Sequence, residues 1–259
     1  MNIINAIILG IVEGVTEFLP ISSTAHLIIT SKLLNIFQSD FVKFFEVFIQ
    51  SGAILAVLVL YFQYILKNKN VIRNIIFSFI PTAVIGFGLY KIIKGIFFES
   101  FVFISLALFG VGLIFIIIEV LIKKKIIIQK KSLKHIDDKT AFIIGLIQSI
   151  AVIPGVSRSG IVMVGMMALG YKREEAAVYS FLLAVPTIGA ASLLDLFKMK
   201  SMLFSSLNLL PILIVGFVTS FFIAYVVMKW FIGYLQKNTL ISFGIYRIIL
   251  GILLFWLYK

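Results

Sequence analysis

The chain has no cysteine in its 259 residues, which excludes disulfides and thiolate metal sites. Charge is scarce too, with 13% charged residues against 61% hydrophobic ones and a mean hydropathy of +1.15. That balance fits no soluble globular class, and long apolar runs recur from end to end. Acid is rarest of all. Eleven Asp and Glu face 23 Lys and Arg, for a formal net charge of +12. The basic excess does not point to nucleic acid, because lysines such as Lys123, Lys124, Lys125, Lys130, Lys131 and Lys134 sit in short loops too small to build a binding domain. The first apolar stretch lacks a basic leader and a small-residue cleavage site, so it is expected to remain as structure and not to be removed as a signal peptide.

What is present is a series of apolar segments at 1–34, 44–66, 74–95, 101–122, 140–170, 178–197, 207–229 and 240–258. Six are clean runs of about 20 residues, the length that crosses a hydrocarbon core of about 30 Å as a helix. The first and fifth are longer and broken midway, at Pro20 and at Pro154-Gly155. Proline removes a backbone donor and turns the preceding residue from helix, and such a break is tolerated at membrane depth only where protein or a polar cavity covers it. The expected fold is therefore an all-α polytopic membrane protein of about six transmembrane helices plus two re-entrant helical hairpins, forming one membrane domain over 1–259.

The two broken segments resemble each other. AIILGIVEGVTEFLPISSTAH and AFIIGLIQSIAVIPGVSRSG align Ala6 with Ala141, Gly10 with Gly145, Glu13 with Gln148 and, after a one-residue gap, Pro20 with Pro154 and Ser23 with Ser157. One hairpin plus three spans per repeat is an odd number of crossings, which gives an inverted-topology repeat over about 1–122 and 140–259, joined by the basic loop 123–139. Loops 67–73, 123–139, 171–177 and 229–239 fall on one side and hold 14 of the 23 Lys and Arg residues, so that side is expected to be cytoplasmic and both termini outside. The hairpins then enter from opposite faces and their tips meet near the middle.

Ionisable groups at membrane depth usually mark function. Glu13 and Glu17, four apart, share a helix face. Either one of them is protonated, or a cation such as Mg or Ca lies between them, or they form a hydrogen-bonded structural pair. After Pro20, Ser22 or Ser23 can cap a restarting helix, with Thr24 beside them. Ser23 and His26 then lie three apart, near enough for the imidazole to act on the hydroxyl, though a cap and a satisfied histidine would give the same spacing. In the second tip, Gly155, Ser157, Arg158, Ser159 and Gly160 form a flexed turn opening a helix, which suits an anion, and the arginine fork suits phosphate oxygens. Arg158 paired with Glu13, Glu17 or Glu46 is the structural alternative. Among other buried polar positions, Glu119 is expected to pair with Lys123 one turn on, Glu46 and Gln50 to line the wall of the site, and Arg247 to need a partner inside the last span.

With those residues assembled, EGVTEFLPISSTAH and PGVSRSG resemble the two signature regions of bacterial undecaprenyl-diphosphatases of the bacitracin-resistance type, and FEVFIQSGAILAV and SFLLAVP resemble the flanking helices. The likeness covers essentially the whole chain. It implies hydrolysis of undecaprenyl diphosphate to the monophosphate carrier lipid of peptidoglycan synthesis, at a site facing the outer side of the bacterial cytoplasmic membrane. By the same resemblance Glu13, Glu17, Ser23, His26 and Arg158 are catalytic, with Thr24, Ser157 and Ser159 supporting. Two departures are Ala25, where the family often has glycine, and Ile161-Val162, where alanine-threonine is frequent. The nucleophile, Ser23 or His26, stays open at this stage, as do a metal at Glu13 and Glu17 and the oligomeric state, a homodimer included. The competing class is a membrane carrier or flippase for a lipid phosphate, since broken helices meeting at the midplane also build transporter sites.

Overall fold

The computed structural model describes residues 1–92, 100–205 and 209–258. They form ten α-helices in chain order. The first hairpin is α1 (Ile3–Thr16) and α2 (Ser23–Leu33), followed by α3 (Asp40–Lys67), α4 (Lys69–Ile92) and α5 (Phe101–Lys123). A short 3-10 turn at Leu133–His135 leads to the second hairpin, α6 (Asp138–Ser149) and α7 (Arg158–Ala168), and then to α8 (Arg173–Ser205), α9 (Leu210–Leu235) and α10 (Ile241–Leu257). Side-chain caps start the helices where the chain leaves a loop. Asn2 accepts from Asn5 N at 2.9 Å, Ser39 from Val42 N at 3.3 Å and Asp137 from Thr140 N at 2.8 Å.

Five helices, α3, α4, α5, α8 and α9, are long and apolar enough to cross a membrane. The expected sixth, over 240–258, is the 17-residue α10, which at 1.5 Å per residue reaches about 25 Å, the lower end of a spanning length. It packs along α5. Gly112 and Gly244 face each other there, and a Cβ on either would lie under 3 Å from the other's carbonyl oxygen. Small residues at such a seam let two backbones approach where lipid supplies no hydrophobic drive. The outer surface is apolar, with Phe62, Phe222 and Trp256 exposed, as a lipid-facing surface requires.

The first arm of each hairpin lies against a full-length helix from the other half of the chain. Thus α1 packs on α9 and α6 on α4, while α3 meets α8 and α5 meets α10. On the α4–α6 seam, Ser78 Oγ donates to Ala141 O at 2.6 Å and Thr82 Oγ1 to Gly145 O at 3.1 Å. These hydroxyls tie the short α6 to the full-length α4 by interhelical hydrogen bonds.

Glu119 corrects one expectation. It does not pair with Lys123 but lies buried, 2% exposed, and takes a forked interaction from Arg173, with Nε 2.8 Å from Oε1, and the Leu240 N–H at 2.9 Å. The last turn of α5 aims Glu119 inward at the start of α8 and the α9–α10 loop, leaving Lys123 exposed. Removing one partner from such a pair leaves a charge uncompensated. Glu119→Ala is therefore expected to destabilise the protein by about 3 kcal/mol or more, read as a lower midpoint of thermal unfolding in detergent.

Candidate active site

Both hairpins restart on a serine in the left-handed region. Ser22 has φ 74° and Ser157 φ 69°, each followed at once by a helix. A non-glycine residue held at positive φ is strained backbone of the kind that gathers at functional sites. The match corrects the sequence alignment. Ser22, not Ser23, is the counterpart of Ser157, so the one-residue gap disappears, Pro20 falls opposite Gly155, and Ser23 and Arg158 occupy the same first helical position in their two helices. Gly155 itself takes φ 93°. Ser157 caps α7, its Oγ accepting from Gly160 N at 3.2 Å, whereas Ser22 makes no side-chain cap.

The first positions of the two helices meet on one carboxylate. Ser23 Oγ donates to Glu17 Oε2 at 2.6 Å, and Arg158 Nη2 to Glu17 Oε1 at 3.0 Å. Arg158 also donates through Nη1 to Ser180 O at 2.8 Å, which leaves its Nε with no hydrogen-bond partner among the described residues. Glu17 is 7% exposed and the Arg158 side chain 11%. A buried ion pair with a hydroxyl on its second oxygen is a polarised group, not a surface contact. Glu13, one turn back on α1, is fully buried, and neither of its carboxyl oxygens has a hydrogen-bond partner among the described residues. Its counterpart in the second hairpin is the neutral Gln148, which donates to Thr82 Oγ1 at 2.9 Å and Thr187 Oγ1 at 3.1 Å. The acids thus belong to one tip and the arginine to the other.

Two further side chains lock the tips together. Ser159 Oγ donates to Leu19 O at 3.1 Å across the hairpins. Arg247, fully buried on α10, donates to Pro20 O at 3.2 Å, Gly155 O at 2.7 Å and Val156 O at 3.0 Å, taking carbonyls from both breaks at once.

The family model described as Bacitracin resistance protein BacA matches residues 6–253, a range that contains every one of these groups. The chain belongs to the BacA family. Among its relatives, the undecaprenyl-diphosphatase of Persephonella marina (strain DSM 14350 / EX-H1) is 49% identical over 257 residues, covering 97% of each chain. That of Sulfurihydrogenibium sp. (strain YO3AOP1) is 47% identical over 258 residues and 100% of each chain. That of Aquifex aeolicus (strain VF5) is 47% identical over 249 residues and 95% of each.

Within this BacA-family site, two expectations change. Ser23 and His26 do not bond to each other, because Ser23 points at Glu17 while His26 Nδ1 lies 2.7 Å from Ser22 O and Nε2 lies 2.6 Å from Tyr246 OH. Ser157 and Ser159, expected as anion donors, spend their hydroxyls on the α7 cap and the tie to Leu19, and bond to each other at 3.2 Å. Glu46 accepts from Ser31 Oγ at 2.7 Å and Gln38 Nε2 at 3.3 Å. Thr24 stays half-buried on the turn of Ser23, and Gly160 packs against Phe115 and Pro20, with no room for a side chain. Sequence reasoning missed Tyr246 altogether.

The donor set bears on a cation. Among the described residues no three His, Asp or Glu side chains converge. Glu13 nevertheless offers two unpartnered oxygens and Glu17 adjoins it. One or two carboxylates completed by phosphate oxygens and water are what a small hard cation such as Mg commonly takes, so the residues fit one.

Proposed function

We propose that this chain hydrolyses undecaprenyl diphosphate to undecaprenyl phosphate and inorganic phosphate, returning the carrier lipid to peptidoglycan synthesis and conferring bacitracin resistance. The observation that carries this reading is the Ser23–Glu17–Arg158 chain, a hydroxyl 2.6 Å from a carboxylate whose other oxygen holds an arginine. A binding site for a lipid phosphate needs the arginine. It has no use for a nucleophile poised on a proton acceptor.

Arg158 Nε, together with the N-terminal end of α7, holds the terminal phosphoryl group. Ser23 Oγ attacks the terminal phosphorus, the bond from that phosphorus to the bridging oxygen breaks, undecaprenyl phosphate leaves, and the serine proton passes to Glu17. Water then attacks the phosphoserine. The Ser23 O–P bond breaks, Glu17 returns its proton to Ser23, and His26, one turn along α2, takes the proton of the water. Glu13, with Glu17, would hold the divalent cation. When bound, that ion supplies positive charge against which the diphosphate and the carboxylates can coexist. The exposed flanks of the helices accommodate the prenyl tail in or beside lipid.

The basic loops favour a cytoplasm on the side of 67–73 and 123–139, and the matched α1–α9 and α6–α4 pairings support an inverted repeat in the bacterial cytoplasmic membrane with the site opening outward. The test is phosphate release from undecaprenyl diphosphate by the detergent-purified protein. Wild type is expected to release phosphate, Arg158→Ala to lose about 10²-fold or more in kcat/KM, and chelator to stop turnover with recovery on adding Mg. Substrate binding without release by well-folded wild type would favour a carrier; full activity in chelator would remove the cation.

A further inference from the structure

Tyr246 lies on α10, far in sequence from either hairpin, yet its ring stacks on His26 with centroids 5.7 Å apart and planes 12° from parallel. Its hydroxyl is 2.6 Å from His26 Nε2. The other ring nitrogen, Nδ1, is 2.7 Å from the Ser22 carbonyl oxygen. A carbonyl only accepts, so Nδ1 carries a proton, and in the neutral ring Nε2 is then the bare nitrogen that accepts from the tyrosine hydroxyl. Ser22 is the strained positive-φ residue that opens α2, so the carbonyl that fixes the tautomer belongs to the break itself. The face of the ring is set by the stack and its edge by two hydrogen bonds. Few rotations remain open to it.

We infer that Tyr246 is a positioning residue for His26: with the tautomer set by the Ser22 carbonyl, the stacked ring and its hydroxyl hold the imidazole in one orientation, the unprotonated Nε2 facing the tyrosine oxygen. The inference rests on the reading of His26 as acceptor of the water proton in the second half-reaction. A ring free to flip would present a protonated nitrogen to the water about as often as a bare one, and the phosphoserine would then outlive its formation. Because Nε2 already accepts from the tyrosine hydroxyl, the water proton reaches it through that hydroxyl, the tyrosine oxygen taking the water proton as it gives its own to Nε2. Tyr246 also lines a groove with Ile21, Ser242 and Phe243.

The chain has only two histidines, which makes the state of His26 directly observable. In protein labelled with 15N-histidine and carrying His135→Gln in the loop 123–139, a single imidazole remains. Its nitrogen shifts are expected to report protonated Nδ1 and bare Nε2. Tyr246→Phe keeps the stack and removes the hydroxyl. As the ring loses its hold it is expected to give averaged nitrogen shifts, a kcat lowered about tenfold or more with KM within about twofold, and a larger trapped phosphoenzyme fraction, at unchanged thermal midpoint. Tyr246→Phe with wild-type kcat overturns the inference. So does a lower kcat with the tautomer signals unchanged, which would make Tyr246 packing only. Wild type that binds but releases no phosphate sinks the hydrolase reading alone, since the nitrogen shifts of wild type and Tyr246→Phe still decide whether Tyr246 holds the ring.

Discussion

Ser23→Ala is expected to reduce phosphate release by about 10⁴-fold or more while leaving the fold intact. Removal of the attacking atom in a two-step displacement takes away the step itself, and only background hydrolysis aided by binding survives. The structural loss is small by comparison, one half-buried hydroxyl and its 2.6 Å bond to Glu17, worth about 1 kcal/mol. Glu17→Gln removes the proton acceptor and the counter-ion of Arg158, keeps the shape, and is expected to cost about 10²- to 10⁴-fold in kcat. His26→Ala leaves Ser23 and Glu17 in contact, so it is expected to permit phosphoryl transfer to the enzyme and to slow its release. Mass spectrometry of acid-quenched His26→Ala should then find phosphate on Ser23. If Ser23→Ala kept near wild-type turnover and phosphate appeared on His26, the histidine would be the nucleophile and the short Ser23–Glu17 bond would be structural.

The outline of this fold was legible because its strongest signals are local. Run length marks a spanning helix, and proline with serine marks a break, so both hairpins and their polar tips could be read from one strand of text. The errors came from information that local spacing does not carry. Ser23 and His26 are three apart on a helix and so share a face, but Glu17 and Tyr246 compete for their polar atoms, and Tyr246 arrives from α10. The repeat was placed one residue out because proline was aligned with proline, whereas the backbone equates Ser22 with Ser157 by a shared left-handed turn that serine does not advertise as glycine would. Glu119 failed for the same reason as Ser23. A lysine one turn away was the nearest partner in sequence, and an arginine at the start of α8 was the nearest in space. Glu17 and Arg158, by contrast, were within reach of the sequence, because two unlike charges in two facing apolar breaks have few other solutions.

Arg247→Met is expected to damage both stability and catalysis, and the coupling between the two losses is the informative part. The guanidinium is fully buried, and its described bonds run to backbone carbonyls, Pro20 O in the first break and Gly155 O and Val156 O in the second, with Phe115 5.5 Å beneath the cation. Those carbonyls are freed by the interruptions in α1–α2 and α6–α7, and at membrane depth no water replaces a lost donor. Methionine approximates the volume and donates nothing. With about 1–3 kcal/mol for each carbonyl left unsatisfied, partly recovered by relaxation, a loss of about 3–5 kcal/mol follows. One cation joins both tips, so its removal also frees the α2 start, which carries Ser23, from the α7 start, which carries Arg158. Misplacement of about 1 Å at such a site can cost 10²-fold in rate. Arg247→Lys keeps the charge with a single point of donation, so it is expected to recover much of the stability but less of kcat, because one ammonium does not span Pro20 O and Gly155 O in a planar fork. Thermal unfolding in detergent and phosphate release on the same samples separate these effects. A variant as stable as Arg247→Lys should then turn over more slowly than its midpoint explains, whereas rates that simply followed the folded fraction would mean that Arg247 supports the membrane domain without setting the distance between the two tips.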